Sequence, residues 1–217
     1  MAIVETLEKT GLVVVARGVA ARDAKNLGEA LHRGGARLIE LTFNQLDSES
    51  WKDTAQGIRQ LALAGEGILP GAGTVMTLEQ VHLACDAGAK YIVCPHTSAN
   101  LIAEAKRLGM GALPGALTPS EIVQAHEAGA DAVKVFPVGA MGSGYIKALR
   151  APMPHIRMMA VGGISEKNAE EFVRAGAVGV GVGGKLVNLE WIAQEKWDNI
   201  TVQTQKLMQA ILRGKQA

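Results

Sequence analysis

Short apolar runs alternate with amphipathic stretches along the chain. Several of the runs are apolar at nearly every position, which is typical of parallel strands buried on both faces. The eight predicted strands are Leu12–Arg17, Leu38–Phe43, Gly67–Thr74, Tyr91–Pro95, Gly111–Gly115, Ala132–Phe136, Arg157–Val161 and Val178–Val182. The predicted helices include Ala24–His32, Ser50–Leu63, Leu78–Asp86, Ala99–Leu108, Ser120–Glu127 and Glu166–Arg174, and residues 187–217 have the pattern of a last helical region.

Small residues around a glycine recur where a predicted helix gives way to a strand. They lie at residues 34–36, 87–89, 128–130 and 175–177. Glycine just past a helix commonly adopts the left-handed conformation that ends it. Eight strand–helix units with this punctuation predict an α/β fold, a compact (β/α)8 TIM barrel that forms one domain over residues 1–217. A doubly wound sheet is the alternative, because the number of strands does not by itself establish closure.

Composition and charge narrow the class of protein. The 22 Lys and Arg residues against 21 Asp and Glu residues give a net charge of +1, which provides no field to attract nucleic acid or an anionic membrane. Two cysteines do not form a disulfide framework and suit a reducing compartment. The N-terminus has no basic region followed by an apolar run, and no apolar stretch is long enough to cross a bilayer. We therefore expect a cytoplasmic protein without nucleic-acid or membrane partners.

Lys134 interrupts an otherwise apolar stretch, residues 132–137, that is predicted to be a buried strand. Burial favours the neutral form of a lysine, and a neutral amine can attack a carbonyl carbon to form an iminium. A lysine that extends its ammonium group to water from an edge strand is the alternative. Lys134 lies near the carboxyl end of the sixth predicted strand, where barrel enzymes place their chemistry. This position favours a catalytic lysine.

Glu40 shares one face of the second predicted strand with Leu38 and Thr42, because side chains alternate along a strand. A carboxylate inside a barrel is costly unless it has a partner, and Lys134 is the candidate. Glu40 is then predicted to carry protons during the collapse of a carbinolamine and at the carbon acid beside the iminium. An unreactive buried Lys–Glu pair is the alternative.

Glycine pairs follow the seventh and eighth predicted strands, at Gly162-Gly163 and Gly183-Gly184. In barrels these two loops commonly bind phosphate, because a backbone without side chains lets several N–H groups point at one anion. Glycine is also common in tight turns, so the prediction depends on the position of the two pairs after the seventh and eighth strands. We expect a phosphate site here.

The carboxyl ends of the predicted strands bring together an amine, a carboxylate, a cation, and hydroxyl and amide groups. These residues are Arg17, Glu40, Thr42, Asn44, Thr74, Pro95, His96, Gly115, Lys134 and Phe136, with the two glycine pairs. His96 is the only one of the five histidines at a strand end, and a lone histidine does not make a ligand cluster. We expect neither a metal nor a cofactor.

Four motifs resemble those of the 2-keto-3-deoxy-6-phosphogluconate / 4-hydroxy-2-oxoglutarate aldolase family. They are Glu40-Leu41-Thr42, Gly71-Ala72-Gly73-Thr74-Val75, Lys134-Val135-Phe136-Pro137 and Val161-Gly162-Gly163-Ile164. The resemblance runs from about Gly11 to Val187, with the motifs in the order of the family. It implies a class I aldolase that forms a Schiff base between Lys134 and pyruvate, with Glu40 as general acid and base, and a homotrimer.

The resemblance also implies roles for the residues around Lys134. Thr74 would hold the pyruvate carboxylate, Phe136 would wall the site, and Gly162, Gly163, Gly183 and Gly184 would bind the substrate phosphate. With Arg17, Asn44 and Pro95 these side chains complete the predicted substrate-binding set. The expected products are pyruvate and glyceraldehyde 3-phosphate.

Two positions depart from many gluconate-type members, which carry arginine where this chain has Asn44 and serine where it has Gly184. Asn44, Arg17-Gly18 and residues 144–149 look more like the 6-phosphogalactonate branch. Three other functions remain open at this point. They are an aldolase for an unphosphorylated 2-keto acid such as 4-hydroxy-2-oxoglutarate, a phosphosugar isomerase, epimerase or decarboxylase, and a catalytically silent sugar-phosphate binder.

Overall fold

The computed structural model describes residues 2–216, and its strands form one parallel sheet. The strands are β1 (Leu12–Ala16), β2 (Leu38–Thr42), β3 (Leu69–Gly73), β4 (Tyr91–Val93), β5 (Gly111–Leu113), β6 (Gly115–Ala116), β7 (Val133–Val135), β8 (Met158–Val161) and β9 (Gly179–Val182). Their order in the sheet is β5-β4-β3-β2-β1-β9-β8-β7-β6. The two ends of this order, β5 and β6, are consecutive along the chain, so the sheet closes on itself.

Closure depends on a break in the fifth predicted strand. Pro114 has no N–H group and separates β5, which pairs with β4, from β6, which pairs with β7. The carbonyl oxygen of Pro114 still accepts a hydrogen bond of 2.8 Å from the N–H of Lys134. When β5 and β6 are counted as one interrupted strand, the sheet has eight strands, which confirms the predicted (β/α)8 barrel. The alternative prediction of an open, doubly wound sheet is wrong.

Helices cover the outside of the barrel, as predicted, with additions at both ends of the chain. They are α1 (Ala2–Thr10), α2 (Ala21–Arg33), α3 (Trp51–Leu61), α4 (Leu78–Asp86), α5 (Ala99–Arg107), α6 (Pro119–Glu127), α7 (Ser143–Arg150), α8 (Ala169–Arg174), α9 (Leu189–Ala193) and α10 (Trp197–Lys215). Short 3-10 turns lie at Ser48–Ser50 and Gly139–Met141. The last predicted helical region is two helices, and α1 was not predicted. No helix among residues 2–216 is long and apolar enough to cross a membrane.

The predicted helix stops are confirmed by backbone conformation. Gly35, Gly88, Gly129 and Gly176 have φ values of 105°, 87°, 99° and 103°. An L side chain is strained in this region, so these turns depend on glycine. The predicted strand ends were too long, because Arg17, Phe43, Thr74, Pro95 and Phe136 leave the ladder to begin the loops that form the site.

Two apolar clusters divide the interior. The larger one lies between the strands and the surrounding helices. The smaller one fills the barrel and consists of Ile3, Leu7, Val13, Leu38, Tyr91, Val93, Leu113, Ala132, Met159 and Val161. Because Ile3 and Leu7 belong to α1, this helix closes the amino end of the barrel. The carboxyl ends of the strands remain as the open end.

Candidate active site

Lys134 and Glu40 both point into the barrel. Lys134 is the middle residue of β7 and is 7% exposed, and Glu40 in β2 is 1% exposed. Their strand neighbours Val133 and Ile39 belong to the outer cluster, which confirms the predicted alternation of faces. The structure therefore brings together the two residues to which the sequence assigned catalysis.

The environment of Glu40 prepares it to exchange a proton near neutral pH. Burial raises the pKa of Glu40 to about 7, while the positive charges of Lys134 and Arg17 oppose the rise. Within residues 2–216, neither carboxylate oxygen of Glu40 has a hydrogen-bond partner. Lys134 thus acts on Glu40 through its charge and not through a closed ion pair, which argues against a purely structural Lys–Glu pair.

Burial acts on Lys134 in the direction that a nucleophilic amine requires. It lowers the pKa of Lys134, and the negative charge of Glu40 works against this effect. The Nζ atom lies 4.9 Å from the centroid of the Phe136 ring, and Phe136 is 36% exposed. Phe136 therefore forms one wall beside the amine, in the position predicted for it.

A cavity of about 990 Å³ opens above Lys134 at the carboxyl ends of the strands. Most of the predicted substrate-binding and phosphate-binding residues line it. They are Arg17, Thr74, Pro95, Phe136, Gly162, Gly163, Gly183 and Gly184, and the predicted catalytic Lys134 lines the cavity with them. Glu40 lies beneath this cavity and does not line it.

Asn44 is the exception among the predicted binding residues. It lines an adjoining pocket of about 640 Å³ that shares Arg17 and Thr74 with the main cavity. Its side-chain oxygen accepts a hydrogen bond of 3.0 Å from the N–H of Leu46. Asn44 therefore shapes the loop after β2 and lies apart from Lys134.

The glycine pair after β8 forms a turn that only glycine adopts readily. Gly162 and Gly163 have φ values of 93° and 74°. The Asn168 amide donates to the carbonyl oxygen of Gly163 at 3.0 Å, and its side-chain oxygen accepts from the N–H of Ser165 at 2.9 Å. Asn168 was not predicted as part of the site, although it fixes the direction of this turn.

The backbone N–H groups of the two glycine pairs remain available to a ligand. Among the turn and loop backbone bonds of residues 2–216, none uses the N–H of Gly162, Gly163, Gly183 or Gly184 as its donor. The carbonyl oxygen of Gly183 instead accepts from Leu186 at 2.8 Å. Unused N–H donors at one end of a cavity favour binding of an anion.

Thr74 adopts a strained backbone conformation beside Lys134. Its φ is 54°, which is rare for a β-branched residue. The carbonyl oxygen of Thr74 accepts from the Gln45 amide at 2.7 Å, and Gln45 accepts from the buried Gln80 at 3.1 Å. Gln45 and Gln80 were missed because no local sequence pattern pairs them across residues so far apart.

The described residues contain no group of three or more His, Cys, Asp or Glu side chains placed to hold a metal ion. His96 is exposed and does not line the cavity. The polar groups around the cavity include the Lys134 amine, the Arg17 guanidinium, hydroxyls and backbone N–H donors, and the side chains of Lys185, Asn188 and Glu190 complete the lining. The amine, the guanidinium and the N–H donors are groups that bind and activate an organic anion with a carbonyl.

Fold and site define a barrel protein with a buried lysine and carboxylate at the base of a glycine-lined cavity. The sequence profile of the family described as "KDPG and KHG aldolase" matches residues 3–203. The 2-dehydro-3-deoxy-6-phosphogalactonate aldolase of Escherichia coli (strain K12) is 36% identical over 82% of this chain and 85% of that protein. The 2-dehydro-3-deoxy-phosphogluconate aldolase of Treponema pallidum (strain Nichols) is 31% identical over 96% of this chain and 97% of that protein.

Solved structures agree with the sequence comparisons. The structure named "Native KDPGal structure" has a TM-score of 0.84 and 31% identity, and it covers 95% of this chain and 96% of that chain. The chain belongs to the KDPG and KHG aldolase family. It is accordingly an aldolase, a carbon–carbon lyase, which confirms the family predicted from the four motifs.

Proposed function

We propose that this protein is a class I aldolase that cleaves a 2-keto-3-deoxy-6-phospho sugar acid of the gluconate or galactonate type. The products are pyruvate and glyceraldehyde 3-phosphate. The observation that carries the proposal is Lys134, a buried amine without a direct carboxylate partner, at the floor of a cavity with unused N–H donors at its rim. The names of the relatives support a phosphorylated keto sugar acid as the substrate class.

In the first stage, the neutral Nζ of Lys134 adds to the C2 carbonyl carbon of the substrate. The carbinolamine hydroxyl takes a proton and leaves as water, which produces an iminium. Glu40, with its pKa near 7, both donates and accepts protons in these steps. The iminium nitrogen, which is the Nζ atom of Lys134, carries a positive charge close to the ionised Glu40.

In the second stage, Glu40 acts as the base: it takes the proton of the C4 hydroxyl, and the C3–C4 bond breaks. Its electron pair moves into the iminium to form an enamine, while C4 becomes the aldehyde carbonyl. The enamine then accepts a proton at C3, and water adds to the iminium and releases pyruvate and free Lys134. Each step requires only an amine, a proton carrier and water.

We assign the two anionic groups of the substrate to different residues of the cavity. The carboxylate beside C2 lies near Thr74 and Arg17, and the phosphate lies at Gly162-Gly163 and Gly183-Gly184. Remote binding of the phosphate holds the carbonyl over Lys134, so its energy contributes to turnover as well as to affinity. An unphosphorylated 2-keto acid such as 4-hydroxy-2-oxoglutarate would leave this end of the cavity unused.

We also propose that the protein forms a homotrimer. Leu46, Met76 and Leu78 are large apolar side chains that are 97%, 45% and 46% exposed. Leu46 and Met76 lie on loops and Leu78 begins α4, and the hydrogen bond between Gln80 of α4 and Gln45 joins these segments into one surface. Light scattering should give three times the chain mass of 22.8 kDa. A monomer in solution would contradict the assembly and leave the proposed chemistry unaffected.

Trapping of the iminium tests the mechanism. Borohydride added with pyruvate should attach one three-carbon unit to the peptide that contains Lys134, and Lys134→Ala should remove both the adduct and the activity. Lys147→Ala, at an exposed lysine of α7, is the matched control and should keep both. An unmodified Lys134, or activity in Lys134→Ala, would contradict the class I mechanism.

A further inference from the structure

Three buried side-chain atoms within residues 2–216 have no hydrogen-bond partner, and all of them lie inside the barrel. They are the two carboxylate oxygens of Glu40 and the hydroxyl oxygen of Tyr91. Buried polar groups in proteins almost always have partners, so each exception requires an explanation. The mechanism explains the carboxylate, whereas nothing so far explains the hydroxyl.

The sheet register places Tyr91 beside Glu40. Glu40 in β2 pairs with Gly71 in β3, and Gly71 pairs with Tyr91 in β4, so the three residues form one row across the sheet. Tyr91 belongs to the cluster inside the barrel, and the inward face of the strands also carries Glu40. Only a glycine therefore separates the two side chains.

Gly71 allows the hydroxyl end of the Tyr91 ring to lean toward Glu40. A Cβ atom at residue 71 would collide with Cζ, Cε1 and Cε2 of the ring, and Cζ is the carbon that carries the hydroxyl. The tip of the ring thus occupies the space above Gly71, next to the Glu40 position. The remainder of the ring packs on apolar side chains that offer no polar partner, among them Leu38 and Val93.

The protonation states of the two groups suit a hydrogen-bonded link, with the Tyr91 hydroxyl as the donor and the Glu40 carboxylate as the acceptor. Burial, followed by the negative charge of Glu40, raises the pKa of the Tyr91 hydroxyl well above its ordinary value of 10.0. The phenol therefore keeps its proton and can act as a hydrogen-bond donor. Phenylalanine would fill the same apolar space without a buried hydroxyl, so the tyrosine oxygen requires a polar role.

We propose that Tyr91 is a positioning residue for Glu40, whose carboxyl it holds through one bridging water that accepts from the Tyr91 hydroxyl and donates to the carboxylate. This bridge fixes the orientation of the carboxyl toward Lys134 and stabilises its ionised form. This inference rests on the proposed function, in which Glu40 carries protons. In this proposal Tyr91 acts only through Glu40 and does not itself touch the substrate or the reacting atoms.

Tyr91→Phe removes the hydroxyl and keeps the ring. Because a donor to a carboxylate stabilises the charged form, its removal should raise the pKa of Glu40, and a ¹³C titration of the side-chain carboxyls should show this shift. We expect kcat to fall about tenfold, a part of the usual effect of general acid–base catalysis, with KM within about twofold. The Glu40 resonance is identified by its loss in Glu40→Gln.

Tyr145→Phe is the matched control, since Tyr145 is the other tyrosine and its hydroxyl donates to the carbonyl oxygen of Leu117 at 2.7 Å. It loses a hydrogen bond outside the barrel and should leave the Glu40 titration unchanged. The double variant Tyr91→Phe/Glu40→Gln should turn over at the rate of Glu40→Gln alone, because Tyr91 acts through Glu40.

Two results would overturn the inference. One is an unchanged Glu40 titration in Tyr91→Phe, whatever its turnover. The other is an equal loss of turnover from Tyr91→Phe in the wild-type and Glu40→Gln backgrounds, which would assign the effect to packing. Full turnover by Glu40→Gln, together with a shifted titration in Tyr91→Phe, would instead contradict the proposed proton transfer and support the coupling of the two residues.

Discussion

The carboxylate of Glu40 lies against Gly73, at a place where any larger residue would displace it. A Cβ atom at residue 73 would lie 2.7 Å from Oε1 of Glu40 and 2.9 Å from Cγ2 of Thr42. Real Cβ atoms do not approach other atoms so closely, so one of the two side chains would have to move. The second glycine of Gly71-Ala72-Gly73 therefore leaves room for the carboxylate to which we assign proton transfer.

Gly73→Ala is expected to lower kcat by tenfold or more, roughly, because a displaced carboxylate no longer reaches the reacting atoms. Gly144→Ala is the control, since a Cβ atom there meets nothing within 4 Å and the residue lies in α7. It should keep full activity and gain up to about 1 kcal/mol in stability. Steady-state kinetics and thermal unfolding of both variants measure these effects. Full activity in Gly73→Ala would contradict the role of the contact between Gly73 and the Glu40 carboxylate.

Glu40→Gln is expected to stabilise the protein above neutral pH. Burial raises the folded-state pKa of Glu40 from 4.5 to about 7, so the folded protein binds this proton more tightly than the unfolded chain does. The contribution of Glu40 to stability is therefore present below pH 4.5 and is lost as the pH rises through about 7. At about pH 8 the variant should gain up to about 3 kcal/mol, since one pKa unit corresponds to about 1.4 kcal/mol.

Urea unfolding of the wild type and of Glu40→Gln at a series of pH values measures this difference. Glu127→Gln, at an exposed position that ends α6, is the control and should follow the wild type. A constant difference between wild type and Glu40→Gln from pH 4 to pH 8, roughly the window of the shift, would show that Glu40 is not raised in pKa.

Gly163→Val is expected to separate anion recognition from iminium formation. A branched side chain is strained at a φ of 74°, and its Cβ atom would lie 3.3 Å from Cα of Gly139, so it would distort the turn that presents the N–H donors. The kcat/KM for phosphorylated substrate should fall about 100-fold or more, whereas trapping of pyruvate on Lys134 should persist. Gly144→Ala in α7 is again the control, because that glycine does not line the cavity and a Cβ atom there meets nothing within 4 Å. Equal turnover of phosphorylated and unphosphorylated substrates by the wild type would refute the phosphate site.

Gln45→Ala is expected to weaken binding of pyruvate through Thr74. The Gln45 amide holds the carbonyl oxygen of Thr74 at 2.7 Å, and without it the strained backbone can relax. KM for pyruvate in the trapping reaction should rise severalfold, by about the equivalent of one lost hydrogen bond. Gln56→Ala, at an exposed position of α3, should leave it unchanged. An unaltered KM in Gln45→Ala would assign Gln45 to the loop alone.

Much of the architecture could be predicted from the sequence because each signal is local. Continuous apolar runs marked the parallel strands, and the glycines near residues 35, 88, 129 and 176 marked the helix ends. The position of Lys134 inside an apolar run was the basis for predicting iminium chemistry, since an ammonium group in such a place is exceptional. Alternation of side chains along β2 was enough to predict that Glu40 points into the barrel.

What could not be predicted depends on neighbours that are distant in sequence. Tyr91 appeared to be an ordinary strand aromatic, and only the register with Gly71 brings its hydroxyl beside Glu40. The strain at Thr74 and its support by Gln80 likewise have no local signature. Helix α1 was missed because its apolar residues cover the end of a barrel that exists only after closure.

The closed amino end of the barrel has a consequence for isotopes. Ile3 and Leu7 of α1 pack into the barrel interior at the amino end, and Glu40 lies beneath the cavity at the carboxyl end, where a bound substrate would stand between it and bulk water. A hydrogen that Glu40 removes from the substrate is then sheltered from exchange until product leaves. Deuterium that Glu40 removes from the methyl group of bound pyruvate would therefore be returned in part to the same carbon before it exchanges with water.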